Sequence, residues 1–250
     1  MERKDKFHKI LERFIIIKDG VYIRMLLKFG HRGAMGYAPE NTLKSFKKAI
    51  DLNVDMIELD VYICKSGELV VIHDDKVDRT TNGKGYVIEK TLTELKKLDA
   101  GEAEKIPTLD EVLDFINRRV KVNIELKGEN TANAVNEIIH KYVKEKDWDY
   151  DDFFVSSFNH YELKRFHILN KNIKLGALLV GIPIGYAKFA EKFNAYSVNL
   201  SLEFINKDFV DDAHRKGMKV FVWTVNDKDD MKRMKKLNVD GIFSNFPDMI

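Results

Sequence analysis

Met56-Ile57-Glu58-Leu59-Asp60-Val61 and, further along, Val122-Asn123-Ile124-Glu125-Leu126-Lys127 are short apolar runs in which polar residues take every second place. A strand turns alternate residues to opposite faces, so Glu58 and Asp60 point one way, as do Asn123, Glu125 and Lys127, while their apolar neighbours point the other way. Apolar runs of this kind recur, separated by segments of helical period, which is the signature of βα units around a parallel sheet. Strands are expected near 26–30, 56–61, 121–126, 153–157, 174–180, 195–199, 219–224 and 240–244. Helices are expected near 41–52, 108–118, 130–145, 159–169, 184–193, 206–216 and 227–237, several of them opened by a capping residue such as Asn41, Thr108 or Asn226. Eight strands and a length of 250 residues predict an α/β fold, the TIM (β/α)8 barrel, as one domain over residues 25–250.

Two segments interrupt the repeat. Residues 65–105 hold a short apolar run ending at His73, a turn-rich stretch around Asn82-Gly83 and a short helical piece near 93–98, and so read as a small insertion after strand 2. The glycines there lack the spacing and the strand-to-helix setting of a nucleotide loop. Residues 1–24 form an N-terminal extension in which Phe7, Ile10, Leu11 and Phe14 share one helical face. Because the sequence ends six residues after the eighth strand, with no eighth helix, this extension is expected either to cover the bare barrel wall as a helix or to plug the barrel bottom as a hairpin of 14–17 and 21–23.

Composition narrows the functional classes. A net charge of +2 with 33% charged residues gives no electrostatic case for nucleic acid. No apolar stretch approaches the roughly 20 residues that cross a bilayer, so no stable membrane insertion is expected. No secretion signal is expected, since acids interrupt the basic start and the apolar run behind it is short, and the single cysteine, Cys64, excludes an internal disulfide; a cytoplasmic location is the expectation.

Costly charges collect at strand ends: His31 and Arg32 after the first strand, Glu58 and Asp60 on the second, His73 in the insertion, Glu125 and Lys127 on the third. In a barrel these positions surround one mouth. Glu58, Asp60 and Glu125 offer only oxygen, which selects a hard divalent cation, Mg²⁺ or Ca²⁺, over zinc. Three carboxylates around a divalent ion leave a charge of −1, which would repel an anionic substrate unless Arg32 and Lys127 offset it; Arg32 can take a phosphate in bidentate fashion and Lys127 can act as a point charge. His31 and His73 then remain as proton carriers, one for the nucleophile and one for the leaving oxygen. The other histidines, His8, His140, His160, His167 and His214, fall on or beside helical segments and read as structural.

Gly30-His31-Arg32-Gly33, Pro39-Glu40-Asn41-Thr42, Ile57-Glu58-Leu59-Asp60-Val61, Val71-Ile72-His73-Asp74, Asp78-Arg79-Thr80-Thr81-Asn82-Gly83, Ile106-Pro107-Thr108-Leu109, Asn123-Ile124-Glu125-Leu126-Lys127, Ser156-Ser157-Phe158 and Val222-Trp223-Thr224-Val225-Asn226 together resemble the glycerophosphodiester phosphodiesterase family. The resemblance implies a metal-dependent barrel enzyme that hydrolyses small-molecule glycerophosphodiesters, such as glycerophosphocholine or glycerophosphoethanolamine, to glycerol 3-phosphate and an alcohol. It assigns Glu58, Asp60 and Glu125 to the metal, His31 and His73 to acid and base, and Arg32 and Lys127 to the phosphate. It also places Phe158 and Trp223 in the substrate pocket, and Glu40 and Asn41 as support behind the ligands, although Asn41 reads equally well as a helix cap. The sequence departs from the family at Ser244-Asn245, where relatives usually carry Thr-Asp. Two rival readings stay open: a phospholipase D-type hydrolase of lysophospholipids, which needs an apolar groove beside the metal, and a non-catalytic metal- or phosphate-binding barrel, for which a histidine pair has no use.

Overall fold

The computed structural model describes residues 14–17, 21–24 and 26–250. Strands β1 (Phe14–Ile17) and β2 (Val21–Arg24) pair antiparallel as a hairpin. Residues 1–13, which carry most of the expected N-terminal helix, and the connection 18–20 lie outside the described residues.

Eight parallel strands close into a barrel. They are β3 (Leu27–Gly30), β4 (Met56–Ile63), β6 (Lys121–Leu126), β7 (Phe153–Ser157), β8 (Lys174–Leu179), β9 (Ser197–Ser201), β10 (Lys219–Trp223) and β11 (Gly241–Ser244), with β11 returning to pair with β3. The insertion contributes β5 (Leu69–Val71), which is antiparallel to β4. Strand β4 runs for eight residues and β3 for only four. The two pair at Phe29↔Met56 and Gly30↔Ile57 alone, so the upper edge of β4 is free, and residues 61–63 of β4 take β5 there instead.

Helices cover the barrel: α1 (Leu43–Asp51), α2 (Leu92–Leu95) in the insertion, α3 (Leu109–Ile116), α4 (Thr131–Glu145), α5 (His160–Leu169), α6 (Lys207–Arg215) and α7 (Lys228–Leu237). Three local expectations are corrected. Tyr186–Phe193 is a 3₁₀ helix rather than an α-helix; its buried Ala187, Ala190 and Phe193 recur every third residue, the 3₁₀ period. Asn41 does not cap α1, because its backbone is left-handed at φ 58 and its side chain is committed to Asp60; Thr42 caps instead, accepting from Ser45 N. Asn226 is held by the Asn245 amide, and Asp227 caps α7. Thr108 caps α3 in a full capping box, as expected.

The alternation read in the sequence sorts the barrel interior into layers. Phe29, Phe154, Phe221 and Phe243, with Leu27 and Met56, form an apolar floor, in which the Phe29 and Phe243 rings stack at 4.4 Å. Above it lie buried Asn123, Ser156 and Asn199, and the carboxylates take the next places along β4 and β6. On the outer face Ile57, Leu59, Val61, Val122, Ile124 and Leu126 join the core under the helices. The insertion has its own small core around Val70, Ile72, Val77, Val87, Leu95 and Ile106, with Cys64 buried in it. No helix among the described residues is long and apolar enough to cross a membrane.

Candidate active site

The parallel register of β4 and β6 sets Glu58 opposite Asn123 and Asp60 opposite Glu125. The three acids expected to bind metal are all buried, with one oxygen from each lying within 4.8 Å of the others. Asn41 Nδ2 donates to Asp60 Oδ2 at 2.9 Å, whereas Asp60 Oδ1, equally buried, has no hydrogen-bond partner. A buried oxygen-only set with an orphaned carboxylate oxygen is costly unless a cation completes it. These residues fit a hard divalent ion. Burial pushes Glu125 up to about 7, aided by the charge of Asp60. Burial, with Asp60 and Glu125 as charged neighbours, likewise holds Glu58 well above the usual carboxylate range.

His31 and Arg32 follow β3 on a turn that runs against α1. Arg32 is left-handed at φ 49, followed by Gly33 at φ 83, and Ser45 Oγ on α1 donates to Arg32 O at 2.8 Å. Arg32 N donates to Glu58 Oε2 at 2.7 Å; its guanidinium reaches Glu40 Oε1 at 2.8 Å and lies 3.5 Å from Asp60 Oδ2. Burial opposes the Arg32 charge, but Asp60, Glu40 and Glu58 outweigh it and raise the pKa. Lys127 Nζ lies 3.0 Å from Glu125 Oε1 and 4.0 Å from Asp60 Oδ1, and it stands over the Phe158 ring.

The two histidines are held differently. His31 Nδ1 lies 2.7 Å from Asn245 Oδ1, an acceptor, so Nδ1 carries the hydrogen and Nε2 keeps its lone pair. Burial, helped by Arg32, pushes His31 down to about 4. His73 follows β5 and belongs to the insertion, as expected. Its Nδ1 lies 2.6 Å from Asp74 Oδ1 and its Nε2 3.1 Å from Lys127 Nζ. An ionised carboxylate only accepts and an ammonium only donates, which fixes the hydrogen on Nδ1.

One cleft collects His31, Arg32, Glu58, His73, Glu125, Phe158 and Trp223 along its wall, with Asn123, Ser156, Leu178 and Phe243. Phe158 meets Trp223 edge-on at 5.4 Å, and Trp223 Nε1 donates to Asn199 O. Thus the structure brings together every site residue expected from sequence, with Glu40 and Asn41 directly behind Arg32 and Asp60. Three of the histidines set aside have other partners: His160 bonds Leu178 O, His214 pairs with Asp240 and His140 meets Tyr150. His8 lies outside the described residues.

The model of the glycerophosphoryl diester phosphodiesterase family matches residues 31–249. The chain belongs to this family. It is 41% identical to a glycerophosphodiester phosphodiesterase of Caldanaerobacter subterraneus subsp. tengcongensis, with 90% of this chain and 96% of that protein covered. It is 38% identical to one of Bacillus altitudinis, with 88% and 94% covered. Among solved structures it is similar to an Oleispira antarctica phosphodiesterase in complex with the product sn-glycerol-3-phosphate, at 31% identity and a TM-score of 0.82, with 89% and 94% covered.

Within this phosphodiesterase site, sequence reasoning gave no role to Asp74, Arg79 or Asn245. The adjacency of His73 and Asp74 is a readable signal. Arg79 stands five residues from Asp74, but its other partner, Glu40, is 39 residues away, so nothing local shows that the two carboxylates share it.

Proposed function

We propose that the chain hydrolyses glycerophosphodiesters to glycerol 3-phosphate and an alcohol, using Mg²⁺ or Ca²⁺ held by Glu58, Asp60 and Glu125. The observation that carries this reading is the buried three-acid cluster flanked by Arg32 and Lys127, with two histidine Nε2 atoms on the same cleft. Bound there, the divalent ion would offset the charge that builds on the phosphate and make a nearby hydroxyl more acidic. Arg32 and Lys127 meet the phosphate oxygens and compensate the excess negative charge of the acids. His31, kept neutral by burial beside an uncharged amide, takes the proton of the attacking hydroxyl. His73 acts as the acid once a proton taken up on Nε2 replaces the Lys127 contact there; Asp74 offsets the imidazolium charge, and Nε2 hands that proton to the departing alcohol oxygen as the P–O bond breaks. Attack by a glycerol hydroxyl gives a cyclic phosphate, which water opens to glycerol 3-phosphate. Phe158 and Trp223 pack against the glycerol carbons. The free thiol of Cys64 suits the reducing cytoplasm to which this reading assigns the protein.

One observation favours the lysophospholipid reading: Val180, Ile182 and Ile184 are exposed in the loop that begins two residues past Leu178 of the cleft wall. Such apolar side chains at a mouth suit an acyl chain. Turnover of glycerophosphocholine, glycerophosphoethanolamine and lysophosphatidylcholine, with each cation or with EDTA, separates the two. The expected result is fastest release from the soluble diesters, no activity in EDTA, and losses of about 10²–10⁴-fold in His31→Ala. Faster turnover of the lyso-lipid would favour the second reading, and activity surviving EDTA and both His31→Ala and Glu125→Ala would refute the mechanism.

A further inference from the structure

His73 stands on the insertion while the acids stand on the barrel, so something must hold one against the other. Strand β5 is only three residues long, and past it the bond from Ile72 N to Asp60 O is the last backbone link. From there the connection passes through side chains. Asp74 Oδ1 meets His73 Nδ1, and both Asp74 oxygens accept from Arg79, from Nε at 2.7 Å and from Nη2 at 3.0 Å. The same guanidinium donates to both oxygens of Glu40, each at 2.7 Å. Glu40 lies in the loop between β3 and α1, where it also holds Arg32.

We infer that Arg79 is a positioning residue that fixes the proton carrier of the insertion, His73, through Asp74, using Glu40 as its anchor on the barrel; this rests on the acid–base role given to His73 above. A planar fork with five donors can serve two carboxylates at once, and four of its hydrogen bonds are made here; an ammonium cannot reproduce that geometry. Hydrogen bonds from Arg79 hold the Asp74 carboxyl far below its ordinary range despite partial burial, which keeps Asp74 an acceptor for His73 Nδ1. When Arg79 is removed, Glu40 retains Arg32, whereas Asp74 loses its cation and is free to turn away from His73. The consequence should therefore fall on His73.

The test uses full-length protein with saturating Mg²⁺ and glycerophosphocholine, comparing Arg79→Lys, Arg79→Ala, His73→Ala and the double variant Arg79→Ala/His73→Ala. The hydrogen on the His73 ring is followed in parallel by ¹⁵N NMR. Arg79→Ala is expected to lower kcat at least about tenfold and Arg79→Lys severalfold, since the charge remains but the fork is lost. Adding Arg79→Ala to His73→Ala should cost less than about threefold more, because residues acting through one group are not additive. Because Lys127 still donates to Nε2, the hydrogen should stay on Nδ1 in both proteins, but its bond to Asp74 should loosen in Arg79→Ala, seen as faster exchange of the Nδ1 hydrogen with water. Additive losses, an undiminished kcat, or an unchanged exchange rate of the His73 Nδ1 hydrogen would each overturn the inference. Should the wild type hydrolyse none of the glycerophosphodiesters, the activity reading falls while the NMR comparison still decides the part played by Arg79.

Discussion

Metal binding by this site should be a proton exchange, with a size that follows from Glu125. Its carboxyl is pushed up to about 7 by burial and by Asp60, and a cation can coordinate only the ionised form. On that value Glu125 is about nine-tenths protonated at pH 6, half at pH 7 and one-tenth at pH 8. Lowering the pH from 8 to 6 therefore weakens Mg²⁺ or Ca²⁺ about tenfold through this one group, equivalent to about 1.4 kcal/mol. Glu58, also raised, adds in the same direction. Titration calorimetry at the three pH values, run in two buffers of different ionisation enthalpy, reads both quantities. Affinity should rise with pH, and the observed heat should depend on the buffer, most strongly at pH 6. An affinity flat from pH 6 to 8, with the same heat in both buffers, would refute the placement of the cation among these acids.

Two further outcomes follow from the turn after β3 and its contact with the last strand. Gly33 is left-handed, and a Cβ there would lie 2.3 Å from Ser45 Oγ and 2.7 Å from the Ser45 carbonyl carbon; Gly33→Ala should cost about 2 kcal/mol or more, a fall in Tm of roughly 4–8 °C, and an unchanged melting curve would contradict the packing of α1 on that turn. Asn245→Asp would place a charge on His31 Nδ1, raising its pKa from about 4 and moving the acidic limb of the kcat/KM profile to higher pH by about a unit or more; a limb that stays put would show that His31 does not set it.

Legibility differed between the barrel and its insertion. Strands β6 and β7 were read to the residue because Lys121–Leu126 and Phe153–Ser157 are apolar runs with clear ends. Strand β9 starts two residues later than expected because Ala195 and Tyr196 extend the apolar run, although Asn194 just before them is left-handed. Glu58, Asp60 and Glu125 were legible because period-two alternation puts them on one face whatever the rest of the chain does. The direction of β5 was not: a three-residue apolar run looks the same parallel or antiparallel, so the place of His73 in the insertion was legible but its approach to Lys127 was not. Arg79 was hidden for a similar reason. Its two carboxylates come from segments 39 residues apart from it and five residues apart from it, and only tertiary approach makes them one network.

The unequal lengths of β3 and β4 have an evolutionary consequence. All eight barrel strands find partners without β5, so the insertion is an attachment on a spare edge and not a stave of the barrel. Attachments of that kind can be exchanged by recombination without reopening the host. Transplanting residues 64–108 between members of the family should carry His73, Asp74 and Arg79 as one inherited cassette, while Glu58, Asp60 and Glu125 stay with the recipient. On the roles proposed above, the leaving-group acid and the ion site thus lie on separable stretches of sequence, joined across the graft by Arg79 and Glu40.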